Sequence, residues 1–180
     1  MNTLKPQESC VFVCPVRGDK GLADFWCVLE DAGLSIEKDY YQRCLERQLQ
    51  GEMEVLLAFL RENAAVVGFC LLNWQPKYAF FRKAGLPEIQ DLNVLREYRR
   101  RGIGRAMIEY CEDMAREKGF REMGIGVGLD SRFGAAQRLY VRMGYIPDGS
   151  GVSYDRKQVA CGDFRPIDEN LCLMMTKALF

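Results

Sequence analysis

Residues 88–129 constrain the chain most. Glu88 to Leu95 alternates Ile89, Asp91 and Asn93 against Gln90, Leu92 and Val94, which predicts a central strand. The basic, glycine-containing run Arg99-Arg100-Arg101-Gly102-Ile103-Gly104 follows, and Gly102 opens a helix to about Lys118. That helix carries Ile103, Met107, Ile108, Cys111, Met114 and Ala115 on one stripe, and Gly119 ends it. Glu122 to Leu129 then reads as a second strand, interrupted by Gly124, Gly126 and Gly128. The order strand, helix, strand predicts two parallel neighbours in one sheet.

The loop between the first strand and the helix reads as an anion site. First-turn amides of a helix lack intrahelical partners, and the helix dipole adds partial positive charge at the same end. Gly102 and Gly104 carry no side chain to hold a phosphate off the backbone, while Arg99, Arg100 and Arg101 supply guanidinium groups suited to phosphate oxygens. A pyrophosphate is the ligand implied. Arg105 after the second glycine excludes a Walker A loop, and Met107 stands where a dinucleotide fingerprint requires its third glycine.

The rest of the chain builds a sheet around this unit. Cys10 to Val16 predicts a strand, Asp19 to Ala32 a helix, and Ser35 to about Gln50 a second helix capped by the Ser35 hydroxyl. Met53 to Leu60 and Ala65 to Trp74 predict a hairpin, and Gln75 to Pro87 a loop. Phe133 to Met143 predicts a helix, and Tyr145 to Tyr154 and Leu171 to Lys177 the last strands. The order β α α β β β α β α β β has no repeat or linker, so the expectation is one α/β domain over residues 1–180, a mixed sheet packed by helices.

Composition excludes several chemistries. The chain has no histidine, which removes Ser-His-Asp and Cys-His catalysis and histidine-bound zinc. Lys plus Arg and Asp plus Glu both total 25, so the overall balance points to neither nucleic acid nor an anionic membrane. The eight cysteines form no Cys-x-x-Cys pair and sit mostly in apolar stretches, so they read as reduced core thiols of a cytoplasmic protein. Cys10 and Cys14 lack further ligands at metal-site spacing, and no metal is expected. Met1 to Ser9 has no apolar run of a signal peptide.

Arg99-x-x-Gly102-x-Gly104 after the strand ending Asp91-Leu92-Asn93-Val94 resembles the signature of the GNAT superfamily of N-acetyltransferases. Ala136-Gln137-Arg138-Leu139-Tyr140-Val141-Arg142-Met143-Gly144-Tyr145 resembles that family's helix before its final strands. The resemblance is strongest between residues 88 and 147. It implies a mostly antiparallel sheet with one parallel pair that splays apart, and acetyl-coenzyme A (acetyl-CoA) lying in the resulting cleft. Backbone groups of Leu92, Asn93 and Val94 would then pair with the pantetheine arm, and residues Arg99, Arg100, Arg101, Gly102, Ile103, Gly104 and Arg105 would hold the pyrophosphate. Where the family often has an asparagine contacting the cofactor, this chain has Phe133, which would pack against the cofactor instead.

The resemblance also implies roles. Tyr140 would hydrogen bond to the departing sulfur. A backbone amide at Val94 or Leu95 would polarise the carbonyl. Glu88 lies 11 residues before Arg99, a spacing at which some members place a glutamate base, and Asp91 is the nearest second carboxylate. The acceptor, a small-molecule amine or a protein amino group, would enter between the N-terminal helices and the final strands. Carboxylates such as Asp24, Asp168 and Glu169 and aromatics such as Trp26, Tyr40, Tyr41, Trp74 and Tyr154 are candidates to hold it. Many relatives pair through the last strands, which implies a possible homodimer. An acyl-CoA sensing module without catalysis, and a nucleic-acid binder using Arg96 to Arg105, are the competing classes.

Overall fold

A computed structural model describes residues 10–34 and 37–180. Ser35, expected to cap the second helix, and the segment Met1 to Ser9 lie outside the described residues. Eight strands form one sheet: β1 (Val11–Pro15), β2 (Met53–Leu60), β3 (Val66–Asn73), β4 (Glu88–Val94), β5 (Glu122–Gly128), β6 (Ile146–Tyr154), β7 (Lys157–Gln158) and β8 (Leu171–Ala178). Their spatial order is β1-β2-β3-β4-β5-β8-β6-β7, and among the described residues only β4 and β5 pair in parallel. The expected mixed sheet with a single parallel pair is what forms.

Helices cover both faces, which explains why β2 and β3 read as nearly unbroken apolar runs rather than alternating ones. On one face α1 (Gly18–Asp31) and α2 (Lys38–Leu49) bury Phe25, Leu29, Tyr41 and Leu45 against Val55, Leu57, Phe69 and Leu71. The opposite side is packed by α4 (Ile103–Glu117) and α5 (Gly134–Arg142). Its core joins Ile103, Met107, Ile108 and Cys111 to Leu56, Ala58, Ile89 and Ile125. Period-2 alternation in β2 therefore feeds two cores at once.

Two expectations are corrected. The stretch 75–87, expected as a loop, contains the short helix α3 (Ala79–Ala84), ended by Gly85 in the left-handed region. Its six residues are too few to show a helical period, and it forms because Phe81 and Tyr78 are buried with Leu86 and Met174. The cysteines are not all core thiols: Cys44, Cys70 and Cys111 are buried, Cys14 and Cys172 half-buried, and Cys10, Cys27 and Cys161 exposed.

Candidate active site

The site begins where the parallel pair ends. β4 and β5 match only at Glu88 with Gly124 and Ile89 with Ile125. Beyond that point β5 continues along β8, while β4 stays with β3. Two features hold β4 there. Opposite Cys70 it carries an extra residue, because Leu71 faces Gln90 and Phe69 faces Asn93, and Asp91 in this bulge sits at φ +49°. At Gly68 a Cβ would lie 2.5 Å from the Asn93 carbonyl oxygen, so only glycine lets β4 close on β3 here. A cleft therefore opens between residues 90–94 and 126–128.

At the end of the cleft the chain turns through Arg96–Tyr98 into the basic loop. Arg100 lies at φ +64° and Gly102 at φ +81°, which turns the backbone sharply into α4. No side chain caps this helix, and the amides of residues 100–105 have no acceptor among the described residues. A Cβ at Gly104 would meet Leu139 at 3.6 Å and Leu92 and Val94 at 3.9 Å, ordinary packing distances. The arginines divide their work: Arg99 donates from Nε to the Val94 carbonyl at 2.9 Å, Arg101 stacks over Tyr98, and Arg105 pairs with Glu109. Arg100 is exposed.

Tyr140, on α5, is only 5% exposed and its ring lies 6.2 Å from that of Tyr145. Its hydroxyl has no hydrogen-bond partner among the described residues. Burial, with the neighbouring Cys70, raises its pKa above the usual phenol value. Tyr140 belongs to the same core cluster as Cys70, the β3 residue opposite the β4 bulge.

The two candidate carboxylates have different surroundings. Glu88 is buried and doubly held, by Arg156 on Oε1 and by Gln90 on Oε2 at 2.7 Å. Burial raises its pKa, and Arg156 opposes that rise. Asp91 accepts from the Tyr40 hydroxyl at 2.8 Å through Oδ2. Its pKa is also raised by burial, against the pull of Tyr40 and Arg156.

The model of the Acetyltransferase (GNAT) family matches residues 23–145. The chain belongs to the GNAT acetyltransferase family. Solved structures agree on the fold. A GNAT-family protein from Desulfovibrio desulfuricans superposes with a TM-score of 0.69 at 15% identity, over 94% of this chain and 99% of the other. The yncA protein of Salmonella typhimurium, solved with acetyl-CoA, gives 0.63 at 20% identity over 95% of each chain. A GNAT acetyltransferase from Elizabethkingia anophelis, with acetyl-CoA bound, gives 0.62 at 15% identity over 95% and 99%. No protein in the curated set matches the sequence.

Within this GNAT chain the structure sorts the remaining sequence candidates. The Leu95 amide bonds to the Val67 carbonyl at 2.9 Å and is not free to polarise a substrate, which leaves Val94. The Phe133 ring packs over Gly128 at the far lip of the cleft, where a Cβ would lie 2.4 Å away. Trp74 lies on the α4 side under Lys118 and Phe120, and Tyr41 is core, so neither faces an acceptor. Asp24 pairs with Lys20, and Asp168 accepts from Tyr154 at 2.8 Å. A separate groove of about 460 Å³ between α1 and α2, lined by Leu22, Trp26, Leu45 and Leu49, shares no residue with the cleft.

Arg156 was not legible as a site residue. It lies beyond the family match, in a two-residue turn between β6 and β7. Asp155 at φ +47° and Arg156 at φ +60° both adopt the left-handed region that tight hairpins demand. Asp155 suits the first position of such a turn, but Arg156 stands where glycine usually signals one. Only the fold shows that the side chain reaches Glu88.

Proposed function

We propose that this chain, acting as one N-acetyltransferase domain, transfers acetyl from acetyl-CoA to a primary amine of a small molecule or protein by direct attack. The observation that carries the reading is the parting of β4 and β5 toward a loop whose amides at 100–105 lack acceptors among the described residues. That combination offers an extended slot with an anion cradle at its end. Acetyl-CoA, when bound, supplies an acetyl group activated as a thioester. Residues 100–105 would hold its pyrophosphate, with Arg99, Arg100 and Arg101 adding charge. Arg99 now bonds to the Val94 carbonyl and would release it to the pantetheine arm.

Tyr140 is the hydrogen-bond donor at the departing sulfur. Its raised pKa keeps the phenol neutral through physiological pH, so it donates throughout. Asp91, held by Tyr40, is the proton acceptor for the amine, while Glu88 is engaged by Arg156 and Gln90 and positions them. Cys111 and Cys70 are fully buried, and burial keeps the Cys111 thiol protonated, which supports transfer without an acetyl-cysteine stage. Eight free thiols support a cytoplasmic setting. Among the described residues no helix is long and apolar enough to cross a membrane.

Release of free thiol from acetyl-CoA in the presence of amines tests the reading. Asp91→Asn refines it. Because the base must be ionised, kcat/KM for the amine rises with pH through the raised Asp91 pKa. In Asp91→Asn this limb disappears, leaving only the amine's own deprotonation, and kcat/KM near neutral pH falls about 10²-fold. An unaltered pH profile removes Asp91 from the mechanism.

A further inference from the structure

Two groups of opposite charge near the Glu88 end of β4 each keep hydrogen-bonding capacity unspent. Arg156 spends Nη1 on Glu88, while Nε and Nη2 have no acceptor among the described residues and the side chain is 35% exposed. Asp91 receives Tyr40 on Oδ2, and Oδ1 has no donor among the described residues. The two lie at one end of β4: Arg156 bonds to Glu88, three residues before Asp91 on the same strand, and Tyr40 bonds to Asp91. Glu88, held beneath Arg156 at 1% exposure, fixes the guanidinium from below. Its free edge, Nε with Nη2, is the parallel pair of donors that matches the two oxygens of a carboxylate.

On the reading of this cleft as an amine acetylation site, we infer that the acceptor is an amine carrying a carboxylate, of the free α-amino acid type. The amino group faces Asp91 and the carboxylate docks on the free edge of Arg156. A simple cationic amine would satisfy Asp91 but leave the guanidinium edge unpaired, and a peptide amino terminus would offer a neutral carbonyl there. Arg156 is thus a specificity-determining residue that lies outside the matched family segment.

The test uses the wild-type chain with acetyl-CoA and a panel of free L-amino acids, the matching amides and the matching decarboxylated amines, with thiol release as readout. Free acids are expected to exceed their amides and amines at least tenfold in kcat/KM. Arg156→Lys keeps the charge on Glu88 but loses the fork, and should raise the KM for the free acid about tenfold while leaving coenzyme A affinity, measured by calorimetry, unchanged. Equal turnover of amides or amines, failure of every free acid, or an unmoved acceptor KM in Arg156→Lys overturns the inference. A chain that binds no coenzyme A overturns the underlying acetyltransferase reading instead, so the two failures are told apart.

Discussion

Replacing Tyr140 by phenylalanine lowers kcat about 10²-fold, the usual cost of removing one hydrogen-bond donor from a developing negative charge in a dry site. The KM for acetyl-CoA stays within a factor of about two, because the lost interaction belongs to the transition state and not to donor binding. Stability should barely change. The hydroxyl has no partner among the described residues to lose, and the ring remains packed beside Tyr145. Steady-state kinetics together with thermal unfolding separate this outcome from a structural one. A variant with unchanged kcat, or one whose defect follows a lost fold, removes Tyr140 from the chemistry.

Arg156→Ala should be the most destabilising change in the cleft. Glu88 is 1% exposed, and without Arg156 its charge has only Gln90 to meet it. Breaking a wholly buried pair costs about 3 to 5 kcal/mol. Arg156 is 35% exposed, so screening by water reduces the expected loss to about 2 to 3 kcal/mol. For a chain of this length that lowers Tm by about 5 to 10 °C. The sign of the pH dependence follows from linkage. Burial raises the folded-state pKa of Glu88, and the loss of Arg156 raises it further, so the folded variant binds a proton more tightly than the unfolded chain. Its stability therefore falls as pH rises from the ordinary carboxylate range through that raised value. The defect is small in acid and grows as pH rises through that value. The double substitution Arg156→Ala with Glu88→Gln should recover most of the loss, and thermal melts across pH that show no difference between single and double variants would contradict the pairing.

Much of the site was legible because it is local. The β4 alternation, the glycines at the start of α4 and its apolar stripe all lie within one stretch of chain, and each reports a backbone property that neighbours do not override. Gly102 was read as leaving room for phosphate, and the structure adds the left-handed turn that requires it. A Cβ at Gly104 would touch Leu92, Val94 and Leu139 at ordinary packing distance, a contact between distant elements. Arg156 and Glu88 stand 68 residues apart in sequence, and their pairing depends on β6 and β7 folding back across β8 to the start of β4. No local pattern encodes that. The cysteines show the same limit: an apolar setting in sequence does not say which strand face a side chain takes, and Cys10 ends exposed with its thiol toward the Arg101 carbonyl.

The loop at residues 100–105 remains the centre of the account, and an NMR titration of the backbone amides with coenzyme A tests it most directly. The amides of residues 100–105 should shift together with those of 92–94, and pantetheine, which lacks the pyrophosphate, should move 92–94 while leaving 100–105 in place. Coenzyme A that leaves 100–105 unmoved, or that shifts only the separate groove at Leu22, Trp26 and Leu49, would contradict the assignment of this loop as the donor site.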